Sequence, residues 1–209
     1  NIQLGEELRQ PLIAPLDSAW GLSLLGDMAS CFTSHTCDVN RSGLPAFLTT
    51  MAGFRPTAMG IPAQLARILG NLPERSIVPL PSLRRVNIGS EGFRYEYVQN
   101  LTRILNPDTT IVNNLASSEG GREIVNRFAL KDAPAEGQLH LGHIIFPDDT
   151  RLVPVDGHDD GDVTEVHVSG AIALGYLDDP DLTAARFYAD PDGRRWWRSG
   201  DLVSRDPSG

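Results

Sequence analysis

The chain has 209 residues and a formal charge of −9, from 18 Lys and Arg against 27 Asp and Glu. Its length allows one large domain or two small ones, and 41% hydrophobic with 22% charged residues fits a soluble globular protein. The acidic balance argues against a nucleic-acid partner, which needs clustered Lys and Arg, and against an anionic membrane surface. Lys131 is the one Lys among the basic residues, so Lys-dependent chemistry must use it or lie elsewhere. The chain starts at Asn1 without a Met and ends at 206–209 in what reads as a turn. A piece of something larger is therefore expected.

No stretch reads as a secretory signal, and no window approaches the ~18 apolar residues of a membrane helix. Two Cys are too few for a disulfide framework, so a cytoplasmic protein is expected. Cys31, His35 and Cys37 form C-x3-H-x-C, but no fourth metal ligand is evident. Buried thiols are the expectation.

In chain order, Trp20, Leu24 and Met28 mark a first helical face. Leu44, Phe47, Leu48 and Met51 mark a second, with Ser42 as N-cap. Leu65, Ile68 and Leu69 give a third, and Tyr97, Val98, Leu101, Ile104 and Leu105 a fourth that stops at Asn106-Pro107. Short apolar runs at 57–61, 83–88 and 109–112 lie between them and read as strands. Strands alternating with helices predict an α/β fold with a mostly parallel sheet and flanking helices. Helical periodicity fades near 131–137. Residues 139–141, 151–155 and 165–168 then read as strands of a small β-rich subdomain, with one helix over 180–187 that has Asp179 as N-cap and Pro180 at its first position. The expected domains are 1–134 and 135–209.

Two segments follow predicted parallel strands: Gly89-Ser90-Glu91-Gly92, and 113–121 with the sequence NNLASSEGG. Ligands of open α/β sheets bind outside the carboxyl ends of the strands. Small residues admit a ligand to the backbone, Ser hydroxyls bond phosphate oxygens, and Glu119 offers hard oxygen to Mg²⁺. Ordinary βα turns share this composition. A third segment, Arg195-Trp196-Trp197-Arg198-Ser199-Gly200-Asp201-Leu202, sets a carboxylate beside a Gly. It reads either as a diol-binding Asp or as a tight turn with the Trp pair packed in the core. The acidic run 156–162 falls short of a calcium loop, with His158 at its third position and His167 at its twelfth. His140 and His143, three apart in a predicted strand, point to opposite faces.

In this order the segments resemble the adenylate-forming superfamily: acyl-CoA ligases, fatty-acyl-AMP ligases and the adenylation domains of nonribosomal peptide synthetases. Residues 164–170, TEVHVSG, look like the family's GELxxxG. Gly175-Tyr176-Leu177 followed by 179–187, DPDLTAARF, looks like GYL.DPELTAERF, and 197–202, WRSGDL, looks like YRTGDL. Upstream, 81–91 resembles LRxVxxGGE, and 113–119 falls where the family has NxYGPTE.

The resemblance implies a central fragment of an ATP-dependent ligase that activates a carboxylic acid as its acyl adenylate. A carrier-protein phosphopantetheine or coenzyme A would be the thiol acceptor. Glu119 would hold Mg²⁺, Ser118 would contact the α-phosphate, and Asp201 would hold the ribose diol. Gly89, Ser90, Glu91, Asn114 and Leu115 would flank the adenine. Asp17 and Trp20 fall where the family begins its acyl pocket, and Asp17 either pairs with a substrate ammonium or caps the Trp20 helix. Leu115 replaces the family's aromatic, Ala116 and Ser117 replace Gly-Pro, and Leu174 replaces an Arg. The family's two lysines, one in a phosphate loop and one in a mobile C-terminal domain, have no counterpart here. The isolated chain is therefore expected to be inactive. The alternative is a degenerate, non-catalytic nucleotide-binding or protein-interaction module of the same fold.

Overall fold

The computed structural model describes residues 9–12, 33–36, 43–89, 92–155, 157 and 163–205. The Trp20 helix, Asp17, Trp20, Cys31, Cys37, Ser42, Ser90 and Glu91 lie outside the described residues, as does all but Gly157 of the acidic run. The chain divides into two compact units, Asn1–Asn114 with Asn126–Gly142, and Leu115–Val125 with His143–Gly209.

The first unit opens with a parallel pair, β1 (Arg9–Leu12) and β2 (Thr33–Thr36). Then come helix α1 (Leu44–Phe54), strand β3 (Ala58–Pro62), helix α2 (Ala63–Gly70), strand β4 (Arg85–Gly89) and helix α3 (Tyr95–Asn100). Strand β5 (Thr110–Ser117) pairs in parallel with β4, and β4 with β3. The α/β expectation holds, and hydrophobic burial explains it. Phe47, Leu48 and Met51 on α1 meet Met59, Ile61, Val86, Ile88 and Ile111 of the sheet in one buried cluster. Each such side chain contributes about 1.5–3 kcal/mol on burial.

The face of α2 differs from its expectation. Ala63, Ala66 and Leu69 are buried, while Ile68 is 45% exposed and Leu65 half-buried. Small residues let this helix lie close to the core, and bulk alone pointed to the wrong side. The expected strand at 139–141 is also absent. Leu139 N–H donates to Phe93 O at 2.8 Å, and His140 O accepts from the Asn113 and Asn126 side-chain amides at 3.3 and 3.0 Å. Side chains thus satisfy a carbonyl that a ladder would otherwise need.

β6 (Gly121–Ala129), of which the residues up to Val125 belong to the second unit, pairs antiparallel with β7 (His143–Ile144). β8 (Thr150–Pro154), β9 (Val163–Ser169), helix α4 (Pro180–Arg186), β10 (Phe187–Ala189) and β11 (Arg195–Ser204) follow. These last four strands form an antiparallel sheet in the order β10-β11-β9-β8, the small β-rich subdomain expected. α4 starts where Asp179 and Pro180 place it, with an Asp179 carboxylate oxygen accepting from Leu182 N–H at 2.9 Å.

Asp179→Ala leaves that N–H without its cap and is expected to cost about 1 kcal/mol, whereas Asp179→Asn keeps an equally good cap and costs little. Urea titration followed by Trp fluorescence checks both. Ile88→Ala in β4 is expected to cost about 2–5 kcal/mol through its cavity, in the same measurement.

Candidate functional site

The segment 113–121 is not a βα loop. β5 continues through Ser117, and the chain turns at 118–120 into β6. The turn is built from its own side chains. Ser117 Oγ accepts from Gly120 N–H at 2.9 Å and donates to Glu123 Oε1 at 2.8 Å. Gly120 has no room for a side chain, since a Cβ there would lie 2.9 Å from Glu123 Oε1 and 3.2 Å from the Trp197 ring. At the tip, Glu119 is half-buried and Ser118 exposed.

Glu119 is held at both ends. Its backbone carbonyl accepts from Ala173 N–H at 2.7 Å. Its Oε1 accepts from the Tyr176 hydroxyl at 3.0 Å, and that hydroxyl accepts from the buried Trp197 indole N–H at 3.3 Å. Trp197 belongs to β11 and pairs with Val168 of β9 and Phe187 of β10. The carboxylate is therefore referred back to the centre of the antiparallel sheet through the Oε1 that Tyr176 bonds.

Asp201 lies in β11 where the register with β9 shifts between Arg198 and Leu202. The expected tight turn is thus a bulged strand. Gly200 takes φ +82, which favours glycine, and a Cβ there would meet Arg186 Nη1 at 2.8 Å. Gly200 N–H donates to Glu165 Oε1 at 2.9 Å, and Asp201 N–H to Ser199 Oγ at 2.9 Å. Partial burial raises the Asp201 carboxyl above its ordinary value, the Arg186 guanidinium opposes that rise, and the Glu119 and Glu165 carboxylates add to it. Glu119 and Asp201 thus share one electrostatic neighbourhood in the second unit.

Glu123 belongs to the same neighbourhood, and no sequence signal marks it. It is 2% exposed, and its Oε2 is buried with no hydrogen-bond partner among the described residues. Burial pushes its carboxyl from the ordinary 4.5 to about 7, the Ser117 hydrogen bond opposes this, and Asp201 and Glu119 add to it. Tyr176 and Trp197 stand inside recognisable sequence segments, but nothing in the sequence indicated that they would meet Glu119.

In the first unit, Gly89 ends β4 beside β5, and a Cβ on it would lie 3.5 Å from the Asn114 carbonyl oxygen. Asn114 Oδ1 is buried with no hydrogen-bond partner among the described residues. Leu115 is half-buried. No three His, Cys, Asp or Glu side chains gather as a metal cluster among the described residues. Mg²⁺ needs only one or two carboxylates beside substrate phosphates, so an anchored Glu119 is a donor set of that class.

No family model matches the chain. It is 31% identical over 150 residues to malpinin synthetase of Mortierella alpina, an alignment covering 63% of the chain and 2% of that protein. Among solved structures it is similar to the Vibrio cholerae adenylation domain AlmE in complex with glycyl-adenosine-5'-phosphate. The TM-score is 0.80 and the identity 16%, over 96% of this chain and 39% of that one. It is also similar to NpsA-ThdA of Klebsiella oxytoca, an artificially fused adenylation-PCP di-domain of a nonribosomal peptide synthetase. There the TM-score is 0.72 and the identity 19%, over 98% of this chain and 42% of that one. The chain has the fold of an adenylation domain, its relatives include nonribosomal peptide synthetases, and it spans less than half of each of these three proteins.

Tyr176→Phe leaves the buried Trp197 indole without its acceptor and is expected to destabilise the second unit by about 1–3 kcal/mol, checked by urea titration. Because the Glu123 pKa is raised in the fold, its contribution to stability is present below about 4.5 and is lost as pH rises to about 7. Glu123→Gln should flatten the stability profile in that window, measured by denaturation across pH.

Proposed function

We propose that the chain is part of an ATP-dependent ligase that activates a carboxylic acid, amino or acyl, as its acyl adenylate for thioester formation in nonribosomal peptide or related biosynthesis. The observation that carries this reading is the Glu119 carboxylate, anchored through Tyr176 to Trp197 at 3.0 and 3.3 Å and electrostatically coupled to Asp201.

Glu119 would hold Mg²⁺, with Tyr176 keeping its carboxylate in place. Bound Mg²⁺ would neutralise negative charge on the nucleotide phosphates. Asp201, acceptor-only when ionised, takes both hydroxyls of the ribose. Ser118 offers a hydroxyl to the α-phosphate from the exposed tip of the turn. Gly89, Asn114 and Leu115 flank the adenine together with Ser90 and Glu91. The orphaned Asn114 Oδ1 supports this placement, since an exocyclic amine is a donor that a buried acceptor lacks. Asp17 and Trp20, outside the described residues, are the candidates for the acid pocket, with a helix N-cap as the other reading of Asp17. Of the two solved structures, one carries an aminoacyl adenylate and the other a fused PCP. These features support an acid substrate and a carrier-protein partner, with phosphopantetheine or coenzyme A as thiol acceptor. The 209 residues alone are inactive in this reading, because the family's two lysines, which would stabilise charge developing on the α-phosphate, have no counterpart among them.

Leu115-Ala116-Ser117, drawn into β5 as strand rather than shaped as a phosphate-facing loop, favours a second reading, a non-catalytic nucleotide-binding or interaction module. Acid-dependent pyrophosphate exchange by the full-length protein that carries this segment separates the two. The ligase reading expects exchange with some carboxylic acid and its loss in Glu119→Ala. It also expects an apparent Mg²⁺ affinity about 10- to 100-fold lower in Tyr176→Phe, which frees the ligand from its anchor. Exchange that survives Glu119→Ala removes the Mg²⁺ assignment.

A further inference from the structure

Where β11 slips against β9, Arg198 faces His167 and Leu202 faces Glu165, so Ser199, Gly200 and Asp201 stand opposite Val166 alone. The extra residues of a bulge leave the ladder, and their backbone donors need other partners. Side chains supply them here. Gly200 N–H donates to Glu165 Oε1 and Asp201 N–H to Ser199 Oγ, each at 2.9 Å. The second bond is local to the bulge, whereas the first ties the bulge across to β9. Gly200 also lies close against Arg186, whose Nη1 would be 2.8 Å from a Cβ there.

Glu165 is itself held in place. Its side chain is 23% exposed, and its Oε2 lies 3.3 Å from Nε2 of the buried His167. His167 Nδ1 is in turn 2.8 Å from the Tyr188 hydroxyl. The charge of Glu165 works against its neighbour, because it adds to the rise of the Asp201 carboxyl and so disfavours the ionised form that accepts hydroxyls. A neutral side chain at 165 would not oppose Asp201 in this way. What the carboxylate provides is a charge-assisted hydrogen bond, the stronger class, to the backbone N–H just before Asp201.

We infer that Glu165 is a positioning residue for the ribose diol: through the Gly200 N–H it fixes the bulge that sets where the Asp201 carboxylate stands, and it does so without touching the nucleotide. The role belongs to the ligase reading, in which Asp201 accepts the ribose hydroxyls. Without the tie to β9 the bulge can take other conformations, and a displaced carboxylate no longer meets both hydroxyls.

The test is calorimetric titration of the full-length protein that carries this segment with the Mg²⁺ complexes of ATP and, separately, of 2′-deoxy-ATP, which lacks one hydroxyl of the diol. A preference for ATP of about tenfold is expected, together with its loss in Asp201→Ala. Glu165→Met keeps the reach of the side chain but not its acceptor, and should weaken ATP binding about tenfold and remove the preference. Glu165→Ala should do the same, so one variant stands if urea titration shows that the other fails to fold. Glu165→Gln keeps an acceptor for the Gly200 N–H and should retain both affinity and preference. Adding Glu165→Met to Asp201→Ala should weaken binding no further, since both act on one contact. A preference that survives Asp201→Ala overturns the ribose reading and this role with it. A preference lost in Asp201→Ala but kept in Glu165→Met or Glu165→Ala, or lost in Glu165→Gln, overturns the role of Glu165 alone.

Discussion

One hydroxyl group organises the second unit. Tyr176 accepts from an indole rooted in the antiparallel sheet and donates to the carboxylate at the tip of the β5–β6 turn. The indole is buried, and a buried donor left unpaired is costly. Position is thereby passed from the sheet, which is rigid because it is packed and laddered, to Glu119, which by its place at a turn would otherwise be free to move. The exclusion of a side chain at Gly120 follows from the same packing, because Glu123 Oε1 and the Trp197 ring fill the space a Cβ would need.

Electrostatics then sets the character of the neighbourhood. The Glu119 carboxylate acts on the titration of both Glu123 and Asp201, Glu165 acts on Asp201, and Arg186 is the opposing cation there. Such a cluster raises the energy of its own ionised form, and a divalent cation would relieve it. Glu123 meets the tension differently, by keeping its proton up to about pH 7, so the hydrogen bonds of the turn are made to a carboxyl group that is often neutral. A buried neutral acid is easier to accommodate than a buried anion.

Sequence periodicity found what local chemistry decides. Asp179 and Pro180 carry their helix start in adjacent positions, and β3, β4 and β9 carry theirs in short apolar runs. It missed what distant partners decide. Asn113 to Ser117 are mostly polar and small, so they read as a loop, yet β5 runs on through them from the ladder that β4 supplies as far as Asn113. Ile68 reads as core and is exposed, because Ala63 and Ala66 make the close face. Glu119 and Asp201 were legible as candidate residues through the segments that contain them. The Tyr176–Trp197 anchor and the orphaned Glu123 oxygen were not, because each depends on groups brought together only by folding.

The anchor also orders events in time. Glu119 and Tyr176 are 57 positions apart in the chain, and Trp197 comes later still. Chain-closure entropy is repaid only when the long-range contact forms. As the polypeptide emerges from its N-terminal end, the turn with its carboxylate is made early and must wait for the last strand of the sheet before it is fixed. The acidic tip thus reaches its anchored geometry only once β11 is in place, and a nascent or damaged chain lacking β11 would carry the carboxylate without that anchor.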